Sequence, residues 1–156
     1  MDAATLQAEF DALVFPRFDE STALALGLSL TEMARAARAP VVIDIRTPGR
    51  ILYHVALPGS APLNDLWVTR KSATALVCQL PSLLVGTKNR DLGRTILDQG
   101  LALATHADHG GAVPVVVAGT GVVACVTVSG LPQVEDHRLV VQGMQSVLAT
   151  LRTPNA

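Results

Sequence analysis

VPVVVAGTGVVACVTVS, residues 113–129, is the stretch that decides the fold. Two β-branched runs, VPVVVA (113–118) and VVACVTVS (122–129), flank Gly119-Thr120-Gly121, which predicts a hairpin. The second run is apolar at both odd and even positions, so both faces of its sheet must be covered, and helices on two sides follow. Pro114 belongs at a strand start or on an edge, because it cannot donate to a ladder. The wider segment 110–134 contains no Asp, Glu, Lys or Arg and is long enough to cross a bilayer. Its five glycines, its two prolines and its wealth of valine suit two buried strands joined by a turn, not a spanning helix.

Working outward, VVIDIRT (41–47) and ILYHVAL (51–57) flank Pro48-Gly49 and predict a second hairpin. Beyond Pro58, Gly59 and Pro62, Asn64 can cap a helix that carries Asp65 in its first turn and runs through Trp67, Lys71 and Leu76 until Pro81 breaks it. Residues 82–103 read as further helix, interrupted by Gly86 and Gly93. Upstream, Leu6, Phe10 and Leu13 place a short helix over residues 5–14, stopped by Pro16. An Ala-rich helix over 20–38 follows, with Asp19 or Ser21 as its N-cap and Pro40 at its end. Pro132 suits the first turn of a closing helix whose core face is Val140, Met144, Val147, Leu148 and Leu151. The order is α-α-β-β-α-α-β-β-α, with at most one further short strand near Thr105. Residues 1–156 form a single α/β domain built on an antiparallel sheet.

The composition limits the function. Of the 156 residues, 49% are hydrophobic and 16% are charged, against about 25% charged in typical domains. Disorder is excluded, and the sparsely charged surface points to self-association. A net charge of −1 offers no electrostatic footprint for nucleic acid or for an acidic membrane. Trp67 is the only tryptophan, so there is no aromatic platform for single strands. Cys78 and Cys125 lie in apolar segments and form neither a C-x-x-C pair nor a disulfide framework, which reads as a reduced cytoplasm. The opening MDAATLQAEFD has acids at Asp2, Glu9 and Asp11 and no basic region, unlike a signal peptide.

Several patterns invite a chemistry that their context withdraws. GTGVVA (119–124) matches the dinucleotide fingerprint, but that motif needs a helix next and a strand follows. Ser129, Asp136 and His137 supply the groups of a hydrolase triad. They lack the nucleophile elbow, and adjacent residues on a helix point about 100° apart. Glu135 and Asp136 in a first helical turn also suit the positive end of the helix dipole. His106, Asp108, His109 and His137 could ligate a metal, yet Gly110-Gly111 removes any fixed helical face. His109 beside those glycines is the more informative histidine, since glycines let a ligand approach backbone N–H groups that bind anions. Arg70 and Lys71 can pair with propionates, phosphates or a neighbouring subunit's acids, or simply form a solvated face.

Taken together, three motifs resemble a family. They are Asn64-(x)2-Trp67-(x)2-Arg70-Lys71, His109-Gly110-Gly111-Ala112-(x)-Pro114, and the run from Thr127 through Gln133 to Glu135-Asp136-His137. They are similar to the UPF0303 family, a branch of the haem-degrading, GlcG- and HbpS-like domain superfamily, over nearly the whole chain. The sequence departs from that family at Val113, where an aromatic often stands, and at SATALV (72–77), where the family is Lys-rich. The resemblance implies a profilin-like α/β/α sandwich with a five-stranded antiparallel sheet covered by helices on both faces, assembling as a dimer or larger ring. It also implies haem as a candidate ligand.

Haem requires a broad apolar slot, an axial ligand and cations for two propionates. His54, His109 and His137 are candidate axial ligands, and Arg70, Lys71 and Arg138 candidate propionate partners. Only His109, His137, Arg70 and Lys71 also fall in the family-like motifs. The expected site is therefore one pocket of His109, Gly110, Gly111, Arg70, Lys71, Glu135, Asp136 and His137, with His109 and His137 as metal ligands. The first reading is an oligomeric cytosolic protein binding haem or another anionic tetrapyrrole-like ligand. The second is a structural or adaptor protein in which Lys71, Asp136 and His137 are buried at an interface. The third is an enzyme that degrades haem or acts on a small acid, with His137 as general base and Glu135 or Asp136 orienting it.

Overall fold

The computed structural model describes residues 1–152. Its elements are α1 (Ala3–Asp11), β1 (Val14–Phe15), α2 (Glu20–Ala36), β2 (Val42–Arg46), β3 (Ile51–Ala56), α3 (Pro62–Cys78), α4 (Ser82–Asp91), a 3-10 turn (Ile96–Gln99), β4 (Ala112–Val117), β5 (Gly121–Ser129) and α5 (Gln133–Arg152). Both hairpins form around their predicted turns, and one five-stranded sheet results, in the order β1-β4-β5-β2-β3.

Strand alternation divides the sheet's residues between two helical layers. Ile43, Ile45, Val113, Val115, Ala124, Val126 and Val128 face one core, which α2 and α5 close with Leu26, Leu30, Val140 and Met144. On the opposite face Ala112 and Cys125 pack against Ala75 of α3. Asp44 and Thr127, both fully buried, lie opposite one another in the β2–β5 register on this second face. The cavity described below opens on this α3 side of the sheet.

The sheet is mixed and not antiparallel, because β1 runs parallel to β4 through Val14–Val116 and Phe15–Val117. Burial of Leu13 and Phe15, at 2% and 0% exposure, draws this segment onto the outer edge of β4. The extra strand therefore lies at residue 14 and not near Thr105. Residues 101–110 form turns whose backbone is tied to α3, with Ala107 N–H donating to Thr74 Oγ1 at 2.9 Å. The registered pairs of β1 begin at Val116, so Pro114 has a strand partner on the β5 side alone. Two helix boundaries also differ from expectation. Over residues 82–103 the expected interruption falls near Gly93 but not at Gly86: α4 runs through Gly86 to Asp91, and only a 3-10 turn follows. Asn64 is not the N-cap of α3. Pro62 takes the first helical position, which needs no N–H, and Asn64 Oδ1 reaches back to accept the Ala61 N–H at 2.8 Å.

Candidate functional site

Val68, Lys71, Ser72 and Ala75 recur at helical spacing on α3, and all four are buried against the sheet. Lys71 thus sits in a core stripe, 3% exposed, and its ammonium needs partners there. Its Nζ donates to Asp136 Oδ2 at 3.0 Å and to the Val128 carbonyl at 3.3 Å. Asp136, in the first turn of α5, also accepts the Leu131 N–H at 2.9 Å on Oδ1 and the Gly130 N–H at 3.4 Å on Oδ2. Loss of hydration dominates both ions. Burial pushes the Lys71 pKa down and the Asp136 pKa up, each against the pull of its partner.

Gly111 makes that pairing sterically admissible. Its φ is 132°, and a Cβ there would collide with the Val128 carbonyl and lie 2.9 Å from Lys71 Nζ and 3.1 Å from Asp136 Cβ. Gly110 donates its N–H to Gln133 Oε1 at 2.9 Å. The glycine pair and the start of α5 are therefore neighbours, joined by a backbone N–H of the first and a side chain of the second.

A cavity of about 220 Å³ opens beside the ion pair, lined by Asn64, Trp67, Lys71, His109, Ser129, Gly130, Leu131, Gln133 and Asp136. Asn64, Trp67 and Lys71 are at positions i, i+3 and i+7 and so share one face of α3. His109 stands at the mouth, with its ring centroid 4.9 Å from that of Trp67 in an edge-on arrangement. Burial pushes its pKa down, and the nearby Lys71, Arg70 and Arg90 charges act in the same direction against Asp108. Arg70 stacks over Trp67 at 4.6 Å and donates Nε to the Leu103 carbonyl at 2.8 Å. Trp67 and Arg70 also border a second, apolar groove of about 560 Å³ with Leu63, Leu66 and Leu103.

The remaining expected residues lie elsewhere. Glu135 is exposed and outside the cavity lining. His137 is 1% exposed and turned to α1, where Nε2 meets Glu9 Oε1 at 2.7 Å, while Nδ1 has no hydrogen-bond partner. His109 and His137 are thus not brought together at the cavity. Among the described residues no group of three His, Cys, Asp or Glu side chains could hold a metal ion. The burial of Lys71, Asp136 and His137 is accounted for within one protomer. Cys125 is buried, and its thiol pKa is pushed up to about 12, which leaves it without nucleophilic character.

Asn64, Trp67, Ser129, Leu131 and Gln133 complete the wall and were not among the expected site residues. The spacing of Asn64 and Trp67 to Lys71 was a readable signal for two of them. The candidate axial ligand His54 lies outside the cavity lining, with both ring nitrogens engaged in a second cluster. Buried Asp44 accepts Arg46 Nε at 2.6 Å and contacts His54 Nδ1 at 2.7 Å, and His54 Nε2 reaches Asp65 Oδ1 on α3 at 2.7 Å. Its signal was Asp44 and Arg46 two apart inside a β-branched run.

This architecture and these motifs define a class. A family model described as haem degrading protein HbpS-like matches residues 18–145, and the chain belongs to that family. Its relatives are UPF0303 proteins. One from Streptomyces coelicolor is 50% identical over 143 residues, covering 91% of this chain and 90% of that protein. One from Burkholderia thailandensis is 43% identical, covering 92% and 88%. Among solved structures, the Ybr137w protein superposes with a TM-score of 0.88 at 29% identity, covering 96% of this chain and 89% of that one. The complex of PduOC with heme superposes with a TM-score of 0.70 at 16% identity, covering 88% and 96%. Among the described residues no helix is long and apolar enough to cross a membrane.

Proposed function

We propose that this protein binds haem or another anionic tetrapyrrole-like ligand at the mouth of the α3 cavity, as an oligomeric protein of the cytoplasm. The reading is supported by family membership and by the heme complex of a protein with the same fold. The cavity itself, at about 220 Å³, falls below the roughly 300–1,000 Å³ of sites that enclose drug-sized ligands. A macrocycle therefore does not enter it. The residues around the mouth fit one better. His109 has no hydrogen-bond partner among the described residues, so its imidazole is available as an axial ligand, whereas the Nε2 of His137 is engaged by Glu9. The groove of about 560 Å³ supplies an apolar bed, and the Arg70 guanidinium beside it retains its terminal nitrogens for a propionate.

The observation that carries this reading is the shared Trp67 wall, with His109 on its cavity side and Arg70 on its groove side. Bound haem would supply an iron centre with open coordination, and the residues named here hold and orient it. Titration of hemin followed at the Soret band tests the proposal. Wild-type protein gives a saturable shift, His109→Ala changes the ligation spectrum, and Arg70→Ala weakens binding about tenfold. Spectra identical in wild type and His109→Ala would remove the assigned ligand.

Self-association is the second reading. Leu63, Leu66 and Leu103 are 61%, 62% and 56% exposed on one groove, a surface that a second copy of the chain would cover.

A further inference from the structure

The hydrogen-bond inventory of the cavity wall is lopsided. Lys71 carries three N–H groups, of which two are spent on Asp136 and the Val128 carbonyl. Asn64 Oδ1 accepts the Ala61 N–H at 2.8 Å, and Gln133 Oε1 accepts the Gly110 N–H at 2.9 Å. Only an amide oxygen can accept from a backbone N–H, so both side-chain orientations are chemically determined. In each case the NH2 is left without a protein partner among the described residues. The hydroxyl of Ser129, a residue only 3% exposed, likewise makes no hydrogen bond among the described residues. The one charged acceptor of the wall is already engaged. Asp136 Oδ1 takes the Leu131 N–H, and Oδ2 takes Lys71 and the Gly130 N–H.

A wall with spare donors on four side chains, one of them an ammonium, and an acidic group whose oxygens are already engaged favours a ligand group rich in acceptors, and charge-assisted bonds favour an anionic one. Its charge is limited too. One ammonium is present and Asp136 offsets much of it, so the spare N–H and O–H donors must hold the ligand; desolvation cost rises steeply with charge, which favours a monoanion over a dianion such as phosphate. Trp67 and Leu131 add an apolar wall suited to a short hydrocarbon chain. We propose that the cavity is a carboxylate site, taking the head of a small monocarboxylate with its oxygens on Lys71, Asn64, Ser129 and Gln133. This deepens the binding reading above and rests on it for the mouth alone. The carboxylate can come from a free short-chain acid or from the propionate arm of a tetrapyrrole lying across Trp67.

Trp67 is the only tryptophan and lines the cavity, so its fluorescence reports occupancy. Titration at constant ionic strength with sodium propionate is expected to give a saturable change. Propionamide and inorganic phosphate are expected to give none. Ser129→Ala, which removes a hydroxyl without disturbing the ion pair, is expected to weaken propionate about tenfold. Lys71→Met, with its fold checked by circular dichroism, is expected to abolish the response. No saturation with propionate, an equal response to propionamide or phosphate, or an unchanged affinity in Ser129→Ala overturns the proposal. Hemin titrated at saturating propionate separates the two sources. Competition assigns the site to a propionate arm, and undiminished hemin binding assigns it to a free acid. Propionate binding without any hemin binding keeps the carboxylate site and defeats the tetrapyrrole reading alone.

Discussion

Lys71 Nζ lies 3.0 Å from Asp136 Oδ2, joining α3 to α5 through a pair whose side chains are 4% and 1% exposed. The same carboxylate holds the Leu131 and Gly130 N–H groups, so one side chain ties a helix, the end of β5 and the following turn together. Burial works against both charges, and each ion offsets the other's lost hydration beside the backbone hydrogen bonds that both make.

Removing one partner exposes that dependence. Lys71→Met leaves a buried carboxylate without its cation and is expected to cost about 3–5 kcal/mol in urea unfolding. Adding Asp136→Asn should restore part of this, because the amide oxygen can still accept the Leu131 N–H. A double variant no more stable than Lys71→Met would show that the ion pair is not the source of the loss.

The His54 cluster predicts a pH dependence. Burial draws the imidazole pKa down, and the hydrogen bonds and charges of Asp44 and Asp65 outweigh it, leaving it above its usual 6.5. Arg46 is the other charged group in contact, on Asp44. A raised value in the folded state means that the stabilisation is complete below the unfolded pKa and is lost as pH rises through the folded one. The urea midpoint is expected to fall as pH rises above about 6.5, and His54→Gln should flatten that slope. An equally steep fall in His54→Gln would locate the titrating group elsewhere.

Two glycines with positive φ should respond differently to alanine. At Gly111 a methyl meets the Val128 carbonyl and Lys71, so Gly111→Ala should cost more than about 2 kcal/mol and close the cavity. Gly93, at φ 62°, has nothing within 4 Å of its absent Cβ. Gly93→Ala should cost only about 1–2 kcal/mol, the backbone penalty alone. Equal thermal shifts would rule out the steric account.

Glu9 and His137 fasten α1 to α5, and α1 precedes the residues matched by the family model. Glu9→Ala strands both imidazole nitrogens and should weaken the docking of α1 by about 1–3 kcal/mol. Faster amide exchange confined to residues 3–11 is the expected signature. Unchanged exchange there would mean that Leu6 and Phe10, buried at 0% and 8% exposure, hold the helix unaided.

Much of this fold is legible in local sequence. Strand pairs around Pro48-Gly49 and Gly119-Thr120-Gly121, the Asp19 cap and the core stripe of α5 each follow from chemistry within a dozen residues. The two-residue β1 has no such periodicity, since it is held by pairing with Val116 and Val117 about a hundred residues away. The site divides in the same way. Lys71 and Asp136 could be read as polar residues inside apolar or helix-starting patterns, and Asn64 and Trp67 as sharing a face with Lys71.

By itself the sequence determined the element types, the two-sided burial of β5 and the motif residues that make up most of the site, because helix and strand periods act between near neighbours. Tertiary structure alone decided that His109 faces Trp67 and the cavity while His137 turns to Glu9. A side chain's direction across a packed interface depends on which distant element lies opposite, and no spacing within one helix or loop encodes that.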